Sequence, residues 1–183
     1  MPIKKWKKLS EETIFEHPRL TLIEDIVLLP DGTETKYLRY KRTGNVATII
    51  AQRDDGLILL QREYSHPPAE VLYQLPGGGV PNDEDVAEGA NRELMEECKL
   101  CGDMELIGAY YSDNRRSDSK TYVFVATNLQ EAHLPGDAEE FIEYDWYSEA
   151  QIDAMIATGA MKQAYALASW MVYKGWKSKP TLT

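Results

Sequence analysis

Cysteine and histidine are scarce in this 183-residue chain: two of the first, three of the second. A structural zinc site needs four ligands, and His17, His66 and His133 show no paired spacing that would complete one with Cys98 and Cys101. A redox C-x-x-C opens a helix, where the helix N-terminus favours the thiolate; here the pattern closes one, so both thiols are expected to stay reduced and without function. No run of 18 apolar residues occurs, which excludes a helical membrane span. The basic start, Lys4, Lys5, Lys7 and Lys8, is followed by no apolar segment, so no secretory signal is read and a cytoplasmic enzyme is expected. Positive charge is also short, with 20 Lys and Arg against 30 Asp and Glu. The net charge of −10 argues against a general nucleic-acid binder, which needs a cationic face. There is no internal repeat and no low-complexity segment.

The length and a hydrophobic content of 43% favour one domain with a real core. Residues 20–23, 26–29, 37–42, 46–51, 57–61 and 73–75 read as strands. Pro30-Asp31-Gly32 and Asp54-Asp55-Gly56 supply turns between some of them. After Pro76-Gly77-Gly78-Gly79 comes a helix from 83 to about 99, then strands at 105–111, 121–126 and 142–146. Ser148 is expected to cap a helix ended by Gly159, and a last helix, 161–174, is expected to stop at Gly175. Strands, a helix, strands and then helices make an α+β layered arrangement.

Thirteen of the 30 acids fall in residues 83–105 and 137–143. Density alone would suit a solvated surface, but the spacing does not. With Asn82 as cap and 100° per residue, Val86, Ala87, Ala90 and Leu94 form the apolar stripe of the 83–99 helix. Glu97 projects inside that stripe, between Val86 and Ala90, with Glu93 beside it and Glu96 further round. Burying unpaired carboxylates costs several kcal/mol or forces them to hold protons. A divalent ion between them removes that cost. Gly89, one turn before Glu93, is expected to leave open space for an ion or phosphate. Oxygen-only ligands favour Mg²⁺ or Mn²⁺ over zinc. The glycines at 77–79 let backbone approach the same place.

Gly78, Glu84 and Arg92-Glu93-Leu94-Met95-Glu96-Glu97 follow the spacing G-x5-E-x7-R-E-U-x-E-E-x-G-U, with Leu100 at its last apolar position. This resembles the Nudix box over 23 residues and departs from it only at Lys99, where the family usually has the glycine that ends the helix. The resemblance implies a Nudix-type α/β/α sandwich around a mixed β-sheet, with an N-terminal antiparallel strand extension. Residues 1–43 would form that extension and part of a dimer interface, and 44–183 the hydrolase domain. It also implies Mg²⁺ (or Mn²⁺) held by Glu93, Glu96, Glu97 and the Gly77 carbonyl, in a reaction that cleaves a pyrophosphate bond. Arg92 would hold the helix glutamates in position, and Gly78 and Glu84 would support the loop. In such enzymes a later loop supplies a further base, for which Glu139 and Glu140 are the candidates, with Glu140 preferred.

Outside the box, Leu29-Pro30-Asp31-Gly32, Leu60-Gln61-Arg62-Glu63-Tyr64, Leu75-Pro76-Gly77-Gly78 and Trp146-Tyr147-Ser148 resemble the ADP-ribose pyrophosphatase subgroup. Members commonly form homodimers whose N-terminal strands help build the partner's site, where Trp6, Tyr37 or Tyr40 would stack on a base or simply pack. A small nucleotide is the expected substrate, with Arg42, Arg62, Arg115 and Arg116 as candidate contacts to it. Where the subgroup carries a Q-Y-R stretch, this chain has Glu63-Tyr64-Ser65, and its loop after the box reads Asp113-Asn114-Arg115-Arg116. These departures leave ADP-ribose and other nucleotide sugars both open. Dinucleotides, triphosphates and a catalytically silent nucleotide-binding domain are the alternatives.

Overall fold

The computed structural model describes residues 3–136 and 141–179. Its contacts divide into two units, residues 1–44 with 113–119, and residues 45–112 with 120–183.

The first unit is an antiparallel sheet of β1 (Lys7–His17), β2 (Leu20–Leu28) and β3 (Glu34–Lys41), in that order. Gly32 turns β2 into β3 at φ +88°, in the left-handed region that glycine enters without steric cost. β2 is one continuous strand rather than two, and its alternation buries Ile23, Asp25 and Val27. Arg39 of β3 meets the Asp25 carboxylate at 2.6 Å and Glu11 of β1 at 2.7 Å, tying the three strands together. β1 is absent from the sequence-based reading. All eleven of its residues are exposed, so neither face imposes the alternation by which strands are recognised. Two irregularities, at Lys8/Ser10 and Thr13/Phe15, break what periodicity remains.

The second unit carries two sheets. One runs β7 (Gly79–Pro81), β4 (Gly44–Ala51), β9 (Lys120–Glu131), β8 (Leu100–Tyr111); the other runs β10 (Glu143–Tyr147), β5 (Ile58–Ser65), β6 (Glu70–Gln74). β4 lies parallel to β9 while β8 lies antiparallel, so the first sheet is mixed, as expected. Parallel strands are covered on both faces, which explains why β4 reads as an almost unbroken apolar run. Its alternation sorts two cores. Ala47, Ile49 and Ala51 join Leu59, Phe124 and Ala126 beneath helix α1 (Val86–Cys98). Ile50 joins Ile58, Leu60, Val123 and Val125 beneath α2 (Glu149–Ala157) and α3 (Ala164–Lys177).

Ser148 caps α2, closing a capping box with Gln151, and Gly159 follows that helix at φ +74°. The last helix differs from expectation. It starts at Ala164 and runs through Gly175 to Lys177. Its buried stripe is Ala166, Ser169, Trp170 and Tyr173, whereas Met171 is 72% exposed. Ion pairs hold its end to α2, through Lys174 to Asp153 at 2.9 Å and Lys177 to Glu149, so the glycine does not stop it.

Candidate active site

Helix α1 begins at Val86, and its cap is Asp85, whose carboxylate accepts the amides of Ala87 at 2.9 Å and Glu88 at 3.2 Å. Asn82, the cap expected from sequence, stands one turn too early, because the 81–84 segment first makes its own turn through Glu84 N–H to the Pro81 carbonyl. At the other end Lys99 adopts the left-handed conformation, φ +57°, that glycine takes at such caps. A lysine there is strained by about 1–2 kcal/mol.

Along this helix Arg92 gathers the acids. Its Nε donates to Glu84 Oε1 at 2.9 Å, and one Nη donates to Glu84 Oε2 at 3.1 Å and to the Gly79 carbonyl at 3.0 Å. The other Nη donates to Glu93 at 2.8 Å and Glu96 at 3.0 Å. The Glu84 hydrogen bonds first, then those of Glu93 and the Glu93 and Glu96 charges, hold the guanidinium above its already high pKa against the opposing effect of burial. Three carboxylates thus share one cation at partly buried positions, Glu93 at 14% side-chain exposure and Arg92 at 29%. Glu97 turns the other way: its Oε2 accepts the Gly77 N–H at 2.9 Å and the Gln61 side-chain amide at 2.8 Å.

Two of the three glycines before the helix, Gly77 and Gly78, are required by contact. A Cβ on Gly78 would lie 2.3 Å from Glu93 Oε2, and one on Gly77 would lie 2.1 Å from the Ala47 carbonyl oxygen, at φ +141°. The Pro76 and Gly78 carbonyls accept the Ile49 and Ala47 amides, so the Gly77 carbonyl between them is not one of those used by β4. Gly89 corrects the sequence-based expectation of open space. A Cβ there would meet Val80 Cγ1 at 2.7 Å and Glu84 Oε2 at 3.1 Å; the missing side chain is replaced by Val80 from β7.

This donor set fits a hard divalent ion. It is oxygen-only, partly buried, in charge excess over its one arginine, and flanked by a glycine whose missing Cβ leaves the Glu93 carboxylate room. The carboxylates are spread around Arg92, and among the described residues no three acid, histidine or cysteine side chains already converge on one point.

Burial pushes the Cys98 thiol up to about 12, and both cysteines are free. A cavity of about 510 Å³ opens beside the end of α1, lined by Lys99, Leu100, Glu131, Ala132, His133 and Tyr144.

The candidate substrate arginines are not gathered at this helix within the second unit. Arg62 pairs with Glu143 and lies 6.0 Å over the Tyr73 ring, on the β5 face opposite Gln61. Arg42, Arg115 and Arg116 belong to the first unit. There Arg42 lies over Tyr40 at 5.8 Å, the Arg115 carbonyl accepts from the Tyr37 hydroxyl, and Arg116 donates to the Leu38 carbonyl at 3.1 Å while lying 5.5 Å over Tyr37. Trp6 packs edge-on against Tyr37 at 5.7 Å, and Tyr40 donates to Asp113 at 3.0 Å. Glu139 and Glu140 lie outside the described residues. Gln61 was missed: its signal was an amide on the Leu59 face, directly after the apolar run Ile58-Leu59-Leu60.

An acidic helix face, gathered by one arginine and met by the glycine segment 77–79, marks the candidate site of this α+β protein. A profile of the NUDIX domain matches residues 41–169, and one of the nucleoside diphosphate sugar hydrolase N-terminal domain matches residues 6–37. The chain belongs to the Nudix family. It is 29% identical over 140 residues to an ADP-ribose pyrophosphatase of Bacillus subtilis, covering 75% of each chain. It is 28% identical to the methanol dehydrogenase activator of Bacillus methanolicus, again over 75% of each. A crystal structure of an ADP compounds hydrolase superposes with a TM-score of 0.83, at 22% identity over 96% of both chains.

Proposed function

We propose that this Nudix enzyme hydrolyses the pyrophosphate bond of ADP-ribose or a closely related nucleoside diphosphate sugar, with Mg²⁺ or Mn²⁺. One observation carries the reading: three carboxylates share Arg92 beside Gly78, an excess of negative charge that folding alone gives no reason to concentrate. The relatives' names and the match of residues 6–37 to a nucleoside diphosphate sugar hydrolase domain support the substrate class.

Glu93, Glu96, Glu97 and the Gly77 carbonyl would hold the metal. When bound, divalent ions neutralise charge on the diphosphate and make a bound water acidic enough to act as nucleophile. Arg92 keeps Glu93 and Glu96 pointed to one side of α1, and Glu84 braces Arg92 from the helix entrance through two hydrogen bonds. Glu140, or failing it Glu139, takes the proton from the attacking water. Arg42, Arg62, Arg115 and Arg116 stand as candidate contacts to the substrate. The exposed apolar residues of β1, Leu9, Ile14 and Phe15, support a homodimer formed through the first unit, because a bare edge strand invites pairing.

The test is a hydrolysis screen with Mg²⁺ and Mn²⁺ against ADP-ribose, ADP-glucose, GDP-mannose, UDP-glucose, dinucleotides and triphosphates. An ADP-sugar is expected to turn over fastest, and only with metal. Equal turnover without metal, or preference for triphosphates, contradicts the proposal. Sedimentation of the purified chain checks the dimer.

A further inference from the structure

Gln61 is fully buried in β5, on the face it shares with Leu59 beneath α1. The buried cluster on that face, which includes Leu59, Ala90 and Leu94, is apolar, so packing alone would favour leucine or methionine. The amide Nε2 instead donates to Glu97 Oε2 at 2.8 Å and to Cys98 Sγ at 3.2 Å. Among the described residues its Oε1, equally buried, has no hydrogen-bond partner. A buried carbonyl left without a donor works against the fold. Turning the amide over would offer that oxygen the Cys98 S–H, but would also set it against the Glu97 carboxylate. The orientation present therefore serves Glu97 at the expense of the amide's own satisfaction.

The Gly77 N–H donates to the same oxygen, at 2.9 Å. Two donors from different elements, β5 and the glycine segment, converge on Oε2 and fix the rotation of the carboxylate. We propose that Gln61 is a positioning residue for metal binding, holding Glu97 by Oε2 so that the carboxylate is oriented before the ion arrives. The inference rests on the proposed function above, in which Glu97 is a ligand. Partners that orient a ligating side chain contribute about 10- to 100-fold in metal affinity or activity when removed.

The deciding variant is Gln61→Met, which keeps the volume, removes the donor and removes the unsatisfied oxygen. Mn²⁺ affinity is read from the resonance of the free ion, kcat from ADP-ribose hydrolysis at saturating metal, and stability from thermal melting. The expected result is Mn²⁺ binding weaker by about 10- to 100-fold, kcat lowered, and a melting temperature equal to or above the wild type. Gln61→Asn, which withdraws the amide by one methylene, should show the same loss of Mn²⁺ affinity if the methionine variant does not fold. Gln74→Met, which removes a strand glutamine bonded to Glu63, should leave Mn²⁺ affinity unchanged. Wild-type affinity and kcat in Gln61→Met, with a lowered melting temperature, would make Gln61 a structural residue only and overturn the inference. A wild-type protein that binds no Mn²⁺ and hydrolyses nothing would instead defeat the proposed function, and this inference with it.

Discussion

The two faces of the mixed sheet handle charge in opposite ways. Beneath α3, Trp170 and Tyr173 are buried, and each polar end is met: the Trp170 indole N–H by Asp153 at 2.8 Å, the Tyr173 hydroxyl by Glu149 at 3.0 Å. Those two acids are in turn offset by Lys174 and Lys177. Beneath α1 the layer mixes Ala47, Ala51 and Ala90 with Ile49, Leu59, Leu94 and Phe124, and the helix carries more acids than its arginine can neutralise. One face is balanced in charge, as stability requires; the other keeps unbalanced charge next to close-fitting glycine backbone. That imbalance is what a divalent ion and a diphosphate would complete.

The comparison breaks first at Glu97. Glu97→Gln should lower kcat on the order of 10³-fold, since a metal-held diphosphate is stabilised by several kcal/mol, while the far-ultraviolet spectrum stays native. A wild-type rate would remove Glu97 from the site. On the opposite face, Trp170→Ala should cost about 3–5 kcal/mol in urea unfolding without changing the Mn²⁺ affinity of the folded protein. A loss under about 1 kcal/mol would mean that α3 is not the structural side. Glu140→Gln should lower kcat by about 10²-fold with Mn²⁺ binding retained. If Glu139→Gln alone does this, the base is Glu139.

Two smaller effects sharpen the contrast. Lys99→Gly relieves the left-handed lysine and should raise stability by about 1 kcal/mol in urea, with kcat unchanged. Glu149 gives the weakest signal. Burial raises its pKa, but Lys177, Tyr173 and Lys174 outweigh that and hold it below the ordinary carboxylate value. A lowered folded-state pKa contributes stability above the unfolded value, and the contribution is lost as pH falls from the ordinary carboxylate range through the folded one. Glu149→Gln should therefore flatten the acid side of the stability profile; an unchanged acid slope would mean that the Lys177 pairing contributes nothing.

The acid helix was readable because its chemistry is local. The interval from Gly78 to Leu100 places Glu84, Arg92, Glu93, Glu96 and Glu97 by turn counting, and the structure brings Glu84, Glu93 and Glu96 together around the Arg92 guanidinium. What sequence could not supply was the partner across space. Nothing near Gly89 says that Val80 of β7 fills its empty side. Asn82 and Asp85 are equally able caps, and only the turn at 81–84 selects between them. β1 stayed hidden because its faces are exposed, so no core imprinted a period on it. Gln61 was visible as the residue that ends the apolar run of β5, but its tie to Glu97 joins residues 36 positions apart.

The most direct test is calorimetric: Mg²⁺ titrated into the wild type and into Glu97→Gln, each with a non-hydrolysable methylene analogue of ADP-ribose present. Saturable Mg²⁺ binding in the wild type, lost in the variant, is the predicted result. Equal binding in both proteins, or none in the wild type at high magnesium, would contradict the assignment of α1 as the metal-holding face.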